Sequence, residues 1–399
     1  MMLELAQNLV QLGVEVKIYS VFLNRKKCYE HLLEGLDITS LFEERELDNK
    51  NKKFNLKGFN EIQKKADYLT NLFKYQIYFK KMLDRMERVD LLNFHDYNIY
   101  LISPLFKEKF KKPAIWTMND APTTRAITAP TADVPFAKRL LKKMMLADFI
   151  GEKWDNKILS SIQSTDNIVV LDNINRRKLR DYYDKDSIIV RGGLNIEDYM
   201  FAPRNKNRDV INIFCNGIFF PHRRFEDVID ALNIVRDKGL RFTMNHVGTD
   251  ERDPAYALKI RSMVKKYGLS DDIKFHGFVQ ENKLIKFYRE SDIFIFPNNP
   301  QTWGLAVFEA MACGTPVIVS KGCGASEVLT DHEDSILVDP NSPEQIANGI
   351  IELSKQDELW DKLHINGRRF VEANISWRLY ARNMLNIFND ALQKGRKTC

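Results

Sequence analysis

Gly304 and Glu309 stand where a loop runs into a helix, at a spacing that suits a phosphorylated ligand carrying adjacent hydroxyls. The run from Asp292 to Ser320 reads as strand, loop, helix, strand: a buried strand ends at Pro297, Gly314 closes the helix, and Pro316 starts the next strand. Helix N-termini expose unpaired N–H groups and a partial positive charge, so a phosphate over Gly304 and Leu305 is bound without any charged side chain. A side chain at position 304 would obstruct that approach. Glu309 lies about one turn further in, where a carboxylate can accept from two adjacent hydroxyls such as those of a ribose. Taken singly, Glu309 could merely favour the helix dipole and Gly304 could be an ordinary turn glycine; together they favour the ligand.

A second run, Asn216 to Leu232, follows a strand-like stretch and carries the adjacent basic pair Arg223 and Arg224 ahead of helically spaced apolar residues. Either guanidinium could clamp a phosphate bidentately. The bland alternative is a basic pair at a solvated surface. Cations at a helix N-terminus oppose the dipole, which favours the functional reading.

These runs need two α/β frames. A chain of 399 residues exceeds what one core usually serves, so two domains are expected. Met2 to Val10 has helical spacing, and Val14 to Phe22 alternates like a strand, so the chain opens on a helix where a strand and glycine turn normally come first. Short strands follow at Val89–Phe94, Ala114–Thr117, Ile168–Leu171 and Ser187–Val190. After the polar stretch Pro203–Arg208 come Val210–Asn216, Arg241–Val247, Ile273–Phe275, Ile293–Pro297 and Pro316–Ser320, the rhythm of an open parallel sheet. Trp377 to Leu392 is a closing amphipathic helix.

Composition narrows the function classes. Hydrophobic content of 44% excludes a largely disordered chain, and a net charge of +6 falls short of a nucleic-acid footprint. The five cysteines form no CxxC pair, which argues against a disulfide framework or structural metal and fits a reducing cytoplasm. No apolar run approaches the roughly 18 residues that cross a bilayer. Phe136 to Met145 forms a basic amphipathic helix able to lie on anionic lipid, although a surface helix packed on its own sheet is the commoner case.

The two glycine-bearing runs resemble the signature of the family 4 glycosyltransferases, retaining enzymes of the GT-B architecture, and the resemblance covers nearly the whole chain. In that family two Glu residues stand eight positions apart. Glu309 matches the second, which holds the nucleotide ribose; Gln301 stands at the first, which faces the sugar ring, and can bond a hydroxyl without carrying charge. Asn216 to Leu232, with Gly217 in its loop, resembles the first strand, loop and helix of the family's C-terminal domain, where an Arg and a Lys reach the diphosphate; Ile218 replaces that Arg, and Arg223 occupies the Lys position. Gly248, within His246–Asp250, matches the glycine loop beside the donor, and Val279, within Phe275–Val279, the loop that receives the nucleobase. His246 and His276 read as structural histidines. His95 matches one of two family histidines, and Asn119 stands at the other.

The resemblance implies an α/β GT-B fold of two Rossmann-like domains facing across a cleft. Residues 1–203 would form the acceptor-side domain, without its first strand and glycine loop. Residues 204–376 would form the donor domain, and 377–399 a helix crossing back to the first. It implies a hexosyl- or related glycosyltransferase that moves a sugar, with retention, from a nucleotide-diphosphate sugar to a glycan, lipid-linked or small-molecule acceptor in cell-surface polysaccharide biosynthesis. No cofactor, metal or nucleic acid is expected; the location is cytoplasmic, with peripheral contact on the inner membrane face through 136–145. Arg223, Glu309, Gln301 and His95 are the catalytic candidates; Gly217, Arg224, Gly248, Val279, Thr302, Trp303, Gly304 and Leu305, with Arg223 and Glu309, are the donor-binding ones. The departures at Gln301, Ile218 and Asn119 keep open a catalytically impaired nucleotide-sugar or carbohydrate-binding relative. A phosphorylase or sugar-nucleotide epimerase accounts less well for the Glu309 helix.

Overall fold

The structure, a computed structural model, describes the chain except residues 26–27, 29, 44–59, 88, 96–98, 119–145, 202, 205, 207–208, 301–302 and 398–399. Gln301, Thr302, Asn119 and the basic helix expected at 136–145 therefore lie outside the described residues. Two compact units form, residues 1–190 with 381–399 and residues 191–380. The division falls between Val190 and Arg191, upstream of the polar stretch that begins at Pro203.

In the first unit the elements run α1 (Met2–Gln11), β1 (Lys17–Leu23), α2 (Glu30–Leu33), β2 (Asp37–Glu43), α3 (Asn60–Arg85), β3 (Leu92–His95), α4 (Ile102–Phe110), β4 (Ala114–Thr117), α5 (Leu146–Gln163), β5 (Asn167–Val170), α6 (Asn173–Tyr183) and β6 (Ile188–Ile189). All its strand pairs are parallel, but they fall into two sheets, β1-β2 and β3-β4-β5-β6. Every residue of β4 is buried, as expected of a strand covered on both faces. Phe79, Met82 and Leu83 of α3 share one core with Trp116 of β4 and Ile168 of β5. The sequence reading missed β2, because Asp37–Glu43 has no clean alternation and only half-buried positions between its ends.

In the second unit come β7 (Ile211–Asn216), α7 (Phe225–Asp237), β8 (Phe242–Val247), α8 (Pro254–Lys266), β9 (Ile273–Phe275), α9 (Glu281–Glu290), β10 (Ile293–Phe296), α10 (Leu305–Ala312), β11 (Val317–Ser320), β12 (Ile336–Val338), α11 (Pro343–Lys355), α12 (Asp357–Asn374) and the start of α13 (Trp377–Lys397). They build one six-stranded parallel sheet in the order β12-β11-β10-β7-β8-β9. Strands β10 and β11 are buried at every position, which explains why they read as unbroken apolar runs. Helix α7 lays Phe225, Val228, Ile229, Leu232 and Val235 on the sheet, the spacing of a helix with one apolar stripe. Asp253 caps α8, accepting from the Tyr256 N–H at 3.0 Å, and Pro254 fills the first turn. Buried Asp292 anchors the entry to β10: its Oδ2 accepts from the Asn212 N–H at 2.8 Å and its carbonyl from Trp360 Nε1 at 2.8 Å. Among the described residues no helix is long and apolar enough to cross a membrane.

Candidate functional site

Between β7 and β10 the strand order of the second unit reverses. From β7 the chain builds outward through β8 and β9, then returns to lay β10, β11 and β12 on the other side. Ligands of open α/β sheets bind outside the carboxyl ends of the strands at such a switch point. The loops after β7, β8, β9 and β10 carry most of the sequence candidates.

Three of these loops lie backbone against backbone. Gly217, at φ +141°, donates its N–H to Val247 at 2.8 Å, and Gly248, at φ +155°, donates to Gly277 at 2.9 Å. A Cβ on Gly248 would stand 1.8 Å from the Gly217 carbonyl oxygen, so only glycine permits this approach. Gly277 leads to Val279, which is half-buried.

The loop after β10 docks on the loop after β7. Asn298 is fully buried; with its amide oriented to satisfy both partners, it donates to the Arg223 carbonyl at 3.3 Å and accepts from Arg223 Nη1 at 2.7 Å. The Asn299 N–H donates to the His222 carbonyl at 2.8 Å. Gly304 then caps α10 in the left-handed region at φ +80°, where a Cβ would meet Phe296 at 2.9 Å. No described side chain caps this helix, so its first N–H groups are available to an anion.

Glu309 follows one turn in. Its Oε2 accepts from the Tyr288 hydroxyl at 2.7 Å, and that hydroxyl accepts from Asn216 Nδ2 at 2.7 Å. The Tyr199 hydroxyl lies near enough to favour the charged carboxylate as well. Burial pushes Glu309 above the usual carboxylate range, the two tyrosine hydroxyls pull it back down, and the nearby charge of Glu281 pushes it up again. A carboxylate offers about four acceptor sites, so beside Tyr288 enough stay open for a ligand diol.

Two candidates take other parts. Trp303, expected to line the donor site, turns its indole inward: it is buried, donates Nε1 to the Gly192 carbonyl at 3.2 Å and packs on Phe308. Its large apolar surface is better satisfied there than in a phosphate loop. Arg224 forks onto Asp227 at 2.6 and 2.9 Å and reaches Glu226 at 3.2 Å, so its guanidinium is committed to the first turn of α7. Arg223 alone of the pair borders the glycine loop, with its Cδ and Nε 3.5 Å from where a Gly217 Cβ would be. His246 is buried among Phe219, Phe225 and Phe275, which pushes it down to about 3 and keeps it neutral, as expected of a structural histidine. His276 bonds Asn245 at 2.8 Å.

His95 belongs to the first unit, at the end of β3. The Thr117 hydroxyl donates to Asn93 Oδ1 at 2.8 Å, which turns the Asn93 amide nitrogen toward His95 Nε2 at 3.0 Å. Nε2 must then accept, and the ring proton sits on Nδ1. Burial, with the Met1 ammonium adding to it, pushes His95 down to about 4.

Sequence reading missed Asn216, Tyr288, Tyr199 and Asn298. Asn216 had a signal, since a polar residue between an apolar strand and a glycine is out of pattern. The others gave none, because their partners are set by tertiary register. Among the described residues no three His, Cys, Asp or Glu side chains are grouped as metal ligands would be.

Comparison with known proteins bears on this arrangement. The family model for glycosyl transferases group 1 matches residues 197–370, inside the second unit. Mannosylfructose-phosphate synthase of Agrobacterium fabrum is 24% identical over 188 residues, 46% of this chain and 40% of the synthase; the match therefore spans less than half of that relative. An uncharacterized glycosyltransferase of Methanocaldococcus jannaschii is 23% identical over 84% of this chain and 83% of its own. Among solved structures, HepE of Anabaena in complex with UDP covers 97% of this chain and 96% of its own, with a TM-score of 0.69 at 14% identity, a likeness of fold. Residues 197–370 thus match the glycosyl transferases group 1 family, and the chain has the fold of GT-B glycosyltransferases, with two Rossmann-like domains.

Proposed function

We propose that the chain moves a sugar from a nucleotide-diphosphate donor held by its second unit to a glycan, lipid-linked or small-molecule acceptor, with retention of configuration. The observation that carries this reading is the join of Gly304, a helix start that no described side chain caps, and the half-open Glu309 carboxylate at the switch point of the sheet. The diphosphate lies over the N–H groups of Leu305 and Ala306, which supply partial positive charge. Glu309 accepts from the two ribose hydroxyls. Arg223, oriented by Asn298, meets the diphosphate as charge develops on it. The base lies toward Val279. Support for the donor class comes from HepE, solved with UDP at 97% coverage of this chain.

The sugar leaves the diphosphate through an oxocarbenium-like state, so stabilising the leaving oxygen is the main task of these residues. His95 of the first unit, neutral and with its proton on Nδ1, serves as a hydrogen-bond donor to the acceptor. Gln301 bonds a hydroxyl of the donor sugar. The reading calls for no cofactor beyond the donor. It takes the site of action as the cytoplasm, with peripheral contact on the inner membrane face, and the product as cell-surface polysaccharide.

A thermal-shift panel of UDP, GDP and ADP with their sugar conjugates tests the donor, since binding stabilises by concentration over affinity. Glu309→Ala is expected to abolish the shift and to lower kcat/KM about 100-fold or more, the loss of two charge-assisted hydrogen bonds. A variant with normal transfer sinks the assignment. Slow donor hydrolysis without acceptor separates an enzyme from a binding-only relative.

A further inference from the structure

We infer that Tyr288 and Tyr199 are positioning residues for donor recognition, their hydroxyls holding the Glu309 carboxylate in the orientation that a ribose diol needs. The inference rests on the reading of Glu309 as the ribose acceptor.

Packing alone does not call for these hydroxyls. Tyr288 is fully buried, its ring 5.1 Å from Phe214 and 5.3 Å from Phe294, and a phenylalanine would fill the same space. A buried hydroxyl is costly unless bonded, and here it meets partners from two separate elements, strand β7 and helix α10. Asn216 Nδ2 can only donate, so the tyrosine proton is committed to Glu309. The direction of the relay is thus fixed from the end of β7 into α10. Tyr199, buried just after the turn Ile196–Asp198, brings a second hydroxyl near Glu309 that favours its charged form. Of about four acceptor sites on a carboxylate, Tyr288 fills one, and those left open suffice for two adjacent hydroxyls.

The groups that face Glu309 set the direction of any pH effect. From α9 come Tyr288 and Glu281, from the turn before β7 comes Tyr199, and from the far end of α10 comes Cys313. Cys313 is pushed up to about 12, burial first, so it stays neutral; Arg289 acts on that thiol. Burial and Glu281 favour the protonated form of Glu309, and the two tyrosines oppose them. Removing a hydroxyl therefore lets Glu309 protonate at a higher pH, and a protonated carboxyl has lost part of its accepting capacity.

The experiment is calorimetric titration of the full chain and of Tyr288→Phe, Tyr199→Phe and Glu309→Ala with UDP and with 2′,3′-dideoxy-UDP across the acidic to neutral range. Each phenylalanine variant is expected to bind UDP about 3- to 10-fold more weakly, the loss of one hydrogen bond. Dideoxy-UDP affinity is expected to stay the same, and the pH at which UDP binding fails is expected to move up. Equal losses for both nucleotides, or an unmoved pH profile, overturn the inference, since a purely structural hydroxyl would act that way. If Tyr288→Phe fails to fold, Tyr199→Phe carries the same test. A wild-type chain that fails to tell UDP from dideoxy-UDP, with Glu309→Ala no worse, overturns the ribose reading itself and the inference with it.

Discussion

The carboxyl edge of the six-stranded sheet and the end of β3 hold their candidate residues in different ways. In the second unit four loops are tied to one another through Gly217, Gly248, Gly277, Asn298 and Asn299, mostly by main-chain atoms. In the first unit His95 is oriented by two side chains, Asn93 and Thr117, on strands of a four-stranded sheet. Main-chain ties demand particular backbone conformations, so they are intolerant of added atoms. Side-chain ties tolerate substitution and act through polarity. The two regions should therefore fail differently, the first through folding and ligand approach, the second through a hydrogen bond.

The largest effect tests the main-chain ties. Gly248→Ala sets a Cβ 1.8 Å from the Gly217 carbonyl oxygen, which the loops can relieve only by parting. We expect it to destabilise the second unit by about 3 kcal/mol or more and to remove nucleotide binding. Gly239→Ala is the control: φ is +79° there and a Cβ meets nothing within 4 Å, so only the left-handed cost of about 1–2 kcal/mol applies. Gly304→Ala should fall between them in stability, with a Phe296 contact at 2.9 Å, while losing nucleotide affinity. Chemical denaturation of the three variants measures this order; equal losses at Gly248 and Gly239 would break the claim that close approach matters.

Next in size is the contrast within the arginine pair. Arg223→Ala should lower kcat/KM by about 100-fold with little change in stability, the scale of losing a donor to developing charge. Arg224→Ala should leave Asp227 without its fork and cost about 1–2 kcal/mol of stability, with kcat nearly unchanged. Steady-state kinetics beside urea melts separate the two, and the reverse pattern would exchange their roles.

How much of this could be read in the sequence follows from the same contrast. Strands β10 and β11 were legible because burial on both faces writes an apolar run, and Gly304 and Glu309 because one helix turn fixes their spacing. Gly217 and Gly248 were found through resemblance, and the structure supplies the physical reason, a close approach that excludes a Cβ. The part played by Trp303 was not legible: a large aromatic beside a glycine loop suits a ligand or a core equally well, and only the Gly192 carbonyl and Phe308 decide it. Nor was Arg224 distinguishable from Arg223, since the left-handed turn at Arg224 sends the two side chains to different partners. Strand β12, with three residues, is too short to leave a period.

The smallest effect belongs to the first unit. His95 has its ordinary value of 6.5 pushed down to about 4, so it is neutral throughout the neutral range. If it acts by donating its Nδ1 proton, His95→Gln should lower kcat by about 3- to 10-fold, one neutral hydrogen bond, without changing the thermal shift given by UDP. The sign for stability is also fixed. The unfolded chain binds the His95 proton first as pH falls below 6.5, so folding weakens across that interval down to about 4, where the native imidazole also protonates. His95→Gln removes that contribution, and its melts should be less sensitive to acid than those of the wild type. A variant that loses UDP binding together with transfer would mean that His95 acts through the fold of its unit, and the contrast between main-chain and side-chain ties would fail at this residue.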